Sequence, residues 1–190
     1  GQSMVSGSTT ALRGTSYHLV ITANFRNATP LDPIRYVLRN KAADGVIFSR
    51  TEPDDDRVKL LLEENFPFVS HGRTMSPVPH PFVDYDNAAF AHHAVMRLKA
   101  KGCRKVTIIL PPMRFSFGHH LRDGFMAAVA EAGVDWEILS GATLDNAPDD
   151  IRLAVMRRLR EPSPPDGFVC TGDASALAVM AGITDAGRTI

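Results

Sequence analysis

Residues 106–139, VTIILPPMRFSFGHHLRDGFMAAVAEAGVDWEIL, contain one complete strand, helix and strand unit. Val106 to Leu110 is an apolar run rich in β-branched residues, and Pro111 with Pro112 ends it. Apolar residues then recur at helical spacing up to Gly133, at Leu121, Phe125, Ala128, Val129 and Ala132. Trp136 to Leu139 follows as a second short strand. This order predicts a parallel sheet with helices packed against it.

The same alternation extends in both directions along the chain. Strands are predicted at 17–23, 45–49, 66–70, 82–84 and 167–170, and helices at 4–12, 31–41, after Pro53, at 87–101, over 151–159 and from Asp173. So many units predict two parallel sheets in succession. We predict an amino-terminal subdomain at 1–86, lacking its first strand, and an incomplete carboxy-terminal subdomain at 87–190. Because the chain starts inside a helix and stops after one, we expect it to be part of a longer protein.

The composition is that of a globular chain without net charge. The 190 residues are 44% hydrophobic and 22% charged, which excludes disordered and collagen-like classes. Lys plus Arg and Asp plus Glu number 21 each, so no overall positive field attracts nucleic acid. No run approaches the ~18 apolar residues of a membrane span. Cys103 and Cys170 are far apart in sequence and are interpreted as reduced thiols.

Ligands of open parallel sheets bind beyond the carboxyl ends of the strands, and this rule selects the candidate site. Arginines, aromatic rings, carboxylates and small hydroxyls follow the predicted strands. They are Asn24, Phe25, Ser49, Arg50, His71, Gly72, Arg73, Ser116, Phe117, Arg122, residues 144–146, Gly172 and Asp173. A guanidinium donates to two neighbouring oxygens and a ring covers an apolar C–H face, so the mixture favours a hydroxyl-rich ligand.

Enzymatic interpretations find less support in the sequence. The pairs His92-His93 and His119-His120 are adjacent, and neighbours on a helix point about 100° apart, so neither pair alone predicts a metal site. Neither a glycine-rich phosphate loop nor a nucleophile elbow occurs. Cys170 ends a strand but has no base beside it in sequence, which favours a core thiol. The sequence therefore predicts a binding protein without cofactor or metal.

The motifs, taken in order, resemble the effector-binding domain of the lactose-repressor/galactose-repressor family of bacterial transcription regulators. The resemblance covers almost the whole chain. It rests on residues 11–19 (ALRGTSYHL), 43–48 (ADGVIF), 66–69 (FPFV), 71–74 (HGRT), 84–87 (DYDN), 98–106, 122–125 (RDGF), Gly172-Asp173 and 176–186. No single motif is decisive, but their order and spacing are specific.

The resemblance implies a fold and a set of binding residues. The fold is that of periplasmic binding proteins, two Rossmann-like subdomains with the ligand in the cleft between them. By resemblance, Arg122 corresponds to the arginine that binds the hydroxyl groups of the effector. The ligand-binding residues implied are Ser49, Arg73, Ser116, Phe117, Arg122 and Asp173, with Ser116 and Phe117 in a loop. The sequence departs from the family at Gly72, where aspartate is common, and at Gly172, where asparagine often precedes aspartate.

The function implied is that of a cytoplasmic transcription regulator's effector domain. The resemblance implies a small-molecule effector, a sugar, whose binding changes the affinity of a helix-turn-helix headpiece, outside this chain, for operator DNA. It also implies a homodimer and no membrane. A periplasmic sugar-binding protein of a transport system is the alternative, since it shares fold and cleft. A flavodoxin-like enzyme is a more distant alternative.

Overall fold

The computed structural model describes residues 2–22 and 29–190, in which helices and strands alternate along the chain. The helices are α1 (Gln2–Ala11), α2 (Asp32–Asn40), α3 (Asp56–Glu63), α4 (Asn87–Ala100), α5 (Ser116–Ala132), α6 (Pro148–Arg160) and α7 (Asp173–Asp185). The strands are β1 (Val46–Ser49), β2 (Phe68–His71), β3 (Phe82–Val83), β4 (Lys105–Ile109), β5 (Asp135–Ile138) and β6 (Gly167–Cys170).

The strands form two three-stranded sheets, in the orders β1-β2-β3 and β5-β4-β6. In the second sheet β4 lies in the centre and pairs in parallel with both neighbours, Val106 opposite Trp136 on one side and Gly167 on the other. β2 and β3 are also parallel. Two parallel sheets with interleaved helices confirm the predicted fold class.

The second sheet is covered by helices on both faces. Residues of β4 alternate between two apolar clusters, as expected for a strand buried on both sides. The cluster with α4 and α5 contains Ala91, Val95, Val106, Ile108, Leu110, Leu121, Phe125, Ala128, Val129, Ala132 and Val169. The cluster with α6 and α7 contains Ile109, Leu139, Ala142, Ile151, Ala154, Val155, Leu159, Ala178 and Val179. The strand predicted from its apolar run is therefore the central strand of this sheet and lies between the two apolar clusters.

The strand predicted at 17–23 is not formed in the described part of that segment. Residues 17–22 adopt no strand, and Val20 is 71% exposed. A strand needs a neighbour for its backbone hydrogen bonds, and neither described sheet includes this segment. The prediction of a buried strand is therefore wrong for residues 17–22. Ala23 and the candidate residues Asn24 and Phe25 lie outside the described residues.

Helix α5 begins five residues before the first apolar position that predicted it. Ser116 and Phe117, predicted in a loop, lie in its first turn, and Phe115 precedes the helix in an extended conformation. The backbone N–H of Ser116 donates to the carbonyl oxygen of Thr51 at 2.9 Å. First-turn N–H groups have no partner inside a helix, so this contact with the segment after β1 stabilises the earlier start.

The chain divides into two compact units. One comprises Gly1–Val46 with Asp56–Phe68 and contains α1, α2 and α3, with Ile34, Val58 and Leu61 buried. The other comprises Ile47–Asp55 with Val69–Ile190 and contains the complete second sheet. The predicted subdomains 1–86 and 87–190 stay a prediction. In the described ranges, no helix has the length and apolar character needed to span a membrane.

Candidate functional site

The second compact unit brings together residues that follow strands of both sheets. Thr51 lies just beyond β1, and its carbonyl oxygen contacts the first N–H of α5. Its hydroxyl donates to the carbonyl oxygen of Arg73, beyond β2, at 3.2 Å. The segments after β1 and β2 and the amino terminus of α5 are thus joined by hydrogen bonds. The strand-end rule predicted candidates in each of these segments.

Arg73 is held by a carboxylate that follows the neighbouring strand. Asp84 accepts a hydrogen bond from the backbone N–H of Arg73 at 3.2 Å, and the Arg73 Nε lies 3.7 Å from the same Asp84 oxygen. The Asp84 side chain is only 7% exposed, whereas that of Arg73 is partly exposed. The buried carboxylate therefore orients the guanidinium while leaving part of it accessible to a ligand.

The two glycine departures from the family pattern have different structural causes. Gly72 has φ of 111°, and a Cβ atom there would lie 2.7 Å from the Thr51 hydroxyl oxygen. An aspartate at this position would have a strained backbone, and its Cβ atom would lie too close to Thr51. Gly172 is extended, and its Cβ atom would lie 3.0 Å from Cδ1 of Leu144, the flexible end of a side chain. Only at Gly72 does the backbone conformation require glycine.

A buried aromatic ring, Phe115, is contacted by two arginines. The guanidinium carbons of Arg50 and Arg114 are 4.3 Å and 4.6 Å from its ring centre, and both arginines pair with Asp145. The Phe115 ring stacks on Phe117 at 5.8 Å with 17° between the planes. Cations over aromatic faces at these distances attract the ring electrons, which holds the cluster together. Asp145 belongs to the segment 144–146 selected from the sequence.

Two buried polar atoms at the start of α5 lack a hydrogen-bond partner among the described residues. They are Oγ of Ser116, a residue with no exposed surface, and Nδ1 of His120. Burial lowers the pKa of His120 below its ordinary value of 6.5, and the positive charge of Arg73 acts in the same direction. The carboxylates of Asp84 and Asp123 oppose that shift without reversing it. The imidazole is therefore predominantly neutral at neutral pH.

The other sequence candidates occupy more exposed positions. Arg122 donates from Nε and Nη2 to Oδ1 of Asp123 at 2.9 Å and 2.7 Å, and its side chain is 40% exposed. Asp173 is exposed in the first turn of α7, and Ser49 is half-buried at the end of β1. Arg122 is not required for packing, since its neighbour Leu121 supplies the buried contact.

His92 and Cys170 have ordinary environments. Across residues 2–22 and 29–190, no three His, Cys, Asp or Glu side chains are grouped in a way that could hold a metal ion. His92 Nε2 lies 2.8 Å from Oε2 of Glu131 on the surface. Burial raises the pKa of the Cys170 thiol to about 11, so it stays protonated.

Three residues of this region were not selected from the sequence. Asp84 directly follows β3, so the strand-end rule could have selected it. His120 lies four residues after Ser116, a spacing that places both on one helix face once the true start of α5 is known. Phe115 was not selected because the sequence predicts a later start for that helix.

Comparisons with known proteins agree on one family. The family model described as periplasmic binding proteins and sugar binding domain of LacI family matches residues 2–190. The HTH-type transcriptional regulator AglR of Rhizobium meliloti (strain 1021) is 30% identical over 151 residues, covering 77% of this chain and 42% of AglR. A LacI-family regulatory protein from Chloroflexus aggregans has a TM-score of 0.78 and 25% identity, covering 99% of this chain and 66% of its own.

A further similar solved structure is a complex with a sugar. The complex of the transcriptional regulator CelR with cellobiose has a TM-score of 0.77 and 24% identity, covering 97% of this chain and 56% of that one. At that identity it supports the fold alone. The chain spans about half of the length of the curated relatives that it matches.

Proposed function

The chain belongs to the family of periplasmic binding proteins and LacI-type sugar-binding domains, and from this premise we propose that it is the effector-binding part of a transcriptional regulator. The effector is a sugar, and the chain binds it without catalysis. Curated relatives such as AglR are transcription regulators, which favours this function over the transport alternative.

One observation carries the proposal: the Arg73 guanidinium, oriented by buried Asp84 beside the amino terminus of α5. A fixed fork of N–H donors beside a carboxylate suits a ligand with many hydroxyl groups. The partly exposed ring of Phe117 lies at the same helix start, stacked on buried Phe115, and supplies apolar surface. Arg73 and Phe117, both selected from the sequence, are the ligand-binding residues best supported by this geometry, and we propose Ser49, Ser116, Arg122 and Asp173 as further members of the site.

For the whole protein we propose allosteric control of DNA binding in the cytoplasm. Sugar binding favours one conformation of the effector region, and a homodimer transmits that preference to a helix-turn-helix headpiece outside this chain. The formal net charge of zero supports the assignment of DNA contacts to that headpiece and not to this part of the chain.

Replacing Arg73 tests the site. We expect isothermal titration to detect binding of cellobiose or maltose by the wild-type chain, and Arg73→Ala to weaken it about tenfold or more, because a charged donor contributes ~1.5–3 kcal/mol. Arg104, exposed just before β4 at the opposite end of the strand, is the matched control. Arg104→Ala is expected to leave affinity unchanged. Equal loss in both variants would contradict the location of the site.

Arg122 has a separate test, since its guanidinium is paired with Asp123. If it donates to the sugar, Arg122→Ala weakens binding by about tenfold, while the melting temperature stays close to that of the wild type. Titration and thermal melting on the same samples separate the two effects. An unchanged dissociation constant would remove Arg122 from the binding site and leave Arg73 in it.

A further inference from the structure

An ion pair in the larger compact unit joins the segment after β1 to the segment after β5. Nη2 of Arg50, which directly follows β1, donates to Oδ2 of Asp145, between β5 and α6. The two side chains are 49% and 29% exposed, so solvent and dissolved salt reach the pair. We call this contact the ionic clasp. Because β1 and β5 belong to different sheets, the ionic clasp connects the strand ends of one sheet with those of the other.

The backbone of Arg50 has a conformation that its side-chain contacts stabilise. Its φ is 60°, in the left-handed region, which residues with a Cβ atom seldom adopt. The guanidinium donates to Asp145, and its central carbon lies 4.3 Å from the ring centre of buried Phe115. Both contacts require the side chain to project as it does from the left-handed backbone. Releasing the ionic clasp therefore favours a different backbone direction at residue 50.

The residue after Arg50 connects the ionic clasp to the candidate site. Thr51 is buried, its carbonyl oxygen accepts from the backbone N–H of Ser116 at 2.9 Å, and its hydroxyl donates to the carbonyl oxygen of Arg73 at 3.2 Å. A change of backbone direction at residue 50 displaces Thr51 and weakens both hydrogen bonds, since each depends on distance and angle. The ionic clasp therefore acts on Arg73, the residue that the proposed function assigns to the sugar.

We propose that the ionic clasp is a salt-sensitive conformational device that holds the segments after β1 and β2 in the arrangement that binds sugar. The proposal rests on the proposed function for its ligand. Asp145 is a positioning residue in this device: it holds Arg50 and does not contact the sugar. When the ionic clasp is released, Arg73 keeps Asp84 but loses its link through Thr51 to α5. The apparent dissociation constant then rises as the clasped fraction of the protein falls.

The first experiment measures sugar affinity at low and high salt. Cellobiose and maltose carry no charge, so a salt dependence of their binding reports ion pairs within the protein. They are titrated calorimetrically into the intact 190-residue chain, and raising NaCl from about 20 mM to 500 mM is expected to weaken wild-type binding about threefold. Asp145→Asn is expected to bind about threefold more weakly at low salt and to show no further loss at high salt. The Arg73–Asp84 contact is screened less, because Asp84 is buried.

Two further variants identify the ion pair as the cause. Asp185 also pairs with an arginine, Arg152, and is 41% exposed, but it lies at the carboxyl end of α7. Asp185→Asn is the matched control and is expected to leave the affinity and its salt dependence unchanged. Arg50→Gln combined with Asp145→Asn is expected to bind no more weakly than Arg50→Gln alone, because both substitutions break one contact. Additive losses, or wild-type salt dependence in Asp145→Asn, would overturn the proposal.

Amide hydrogen exchange tests the ionic clasp without sugar. The Ser116 N–H is protected by the carbonyl oxygen of Thr51, so Asp145→Asn is expected to accelerate its exchange about threefold, while the amides of β4 exchange as in the wild type. Unchanged exchange at Ser116 would overturn the proposal, and equal acceleration in β4 would show general destabilisation instead. If neither sugar binds the wild-type chain, the proposed function and the sugar-binding role of the device both fail, and exchange at Ser116 separately decides whether the ionic clasp holds the segment after β1.

Discussion

Gly124→Ala is expected to destabilise the protein by about 2–4 kcal/mol, lowering the melting temperature by roughly 5–15 °C. Gly124 lies where α5 crosses α4. A Cβ atom on it would lie 2.5 Å from both the Cα and the carbonyl oxygen of Ala88, and 2.9 Å from the carbonyl carbon. These are backbone atoms of α4, so the clash is relieved only by separating the two helices that cover one face of the second sheet.

Gly7 provides a matched control for that substitution. It is also a helical glycine, in α1, but no atom lies within 4 Å of the position that its Cβ would occupy. Gly7→Ala is therefore expected to be neutral or to stabilise by up to ~1 kcal/mol through helix propensity. Thermal melting by circular dichroism measures both. Similar melting temperatures for the two variants would contradict the close crossing of α4 and α5.

Glu137→Ala is expected to cost about 2–4 kcal/mol, because it removes the acceptor of a partly buried network. Arg158 lies against this carboxylate, with Nε 2.7 Å and Nη2 2.8 Å from its oxygens. The Thr107 hydroxyl donates to it at 2.9 Å, and Lys105 Nζ lies 3.2 Å away. The Arg158 side chain is only 15% exposed, so the substitution removes the nearest carboxylate from a poorly hydrated cation, which keeps the carbonyl oxygen of Ser163 as an acceptor at 2.7 Å.

Glu131 is the control for this network. It also pairs with a basic side chain, His92, but is 64% exposed. Exposed ion pairs contribute little, so Glu131→Ala is expected to change the free energy of unfolding by less than ~0.5 kcal/mol. Urea unfolding of both variants measures the difference. Equal effects would show that the Glu137 network contributes no more than a surface pair.

The pH dependence of stability gives a second measure of the same carboxylate. Burial acts to raise the pKa of Glu137, but hydrogen bonds from Arg158, Thr107 and Lys105 outweigh it and hold the pKa below the ordinary 4.5. The unfolded state then binds the proton more readily than the folded state. The stabilisation is therefore present above pH 4.5 and is lost as the pH falls through the folded-state pKa. Glu137→Gln is expected to show a smaller loss over that range.

Much of the fold follows from periodicity. The strand at 167–170 coincides with β6, and the apolar run at 106–110 marks β4, because strands buried on both faces are apolar throughout. The apolar run at 17–23 predicted a strand equally well, yet residues 17–22 pair with no described strand. Hydrophobicity indicates that a segment is fit for a strand, but pairing depends on residues distant in sequence.

The candidate site was likewise predicted only in part from the sequence. The strand-end rule needs only the order of strands and loops, and it selected Arg73, Ser116 and the segment containing Asp145. The sequence also identified Arg122 by resemblance, but its contact with Asp123 depends on the side chain's orientation on α5.

Only tertiary structure decided that Asp84 orients Arg73, that Gly72 must lack a side chain beside Thr51, and that Ser116 Oγ and His120 Nδ1 have no hydrogen-bond partner among the described residues. Local patterns report what each segment prefers by itself, and they are sufficient for most of the strands and helices and for selecting the strand ends as the candidate site. Contacts across eleven or more positions, such as Arg73 with Asp84, depend instead on how separate segments pack, because hydrogen bonds and steric limits act through space.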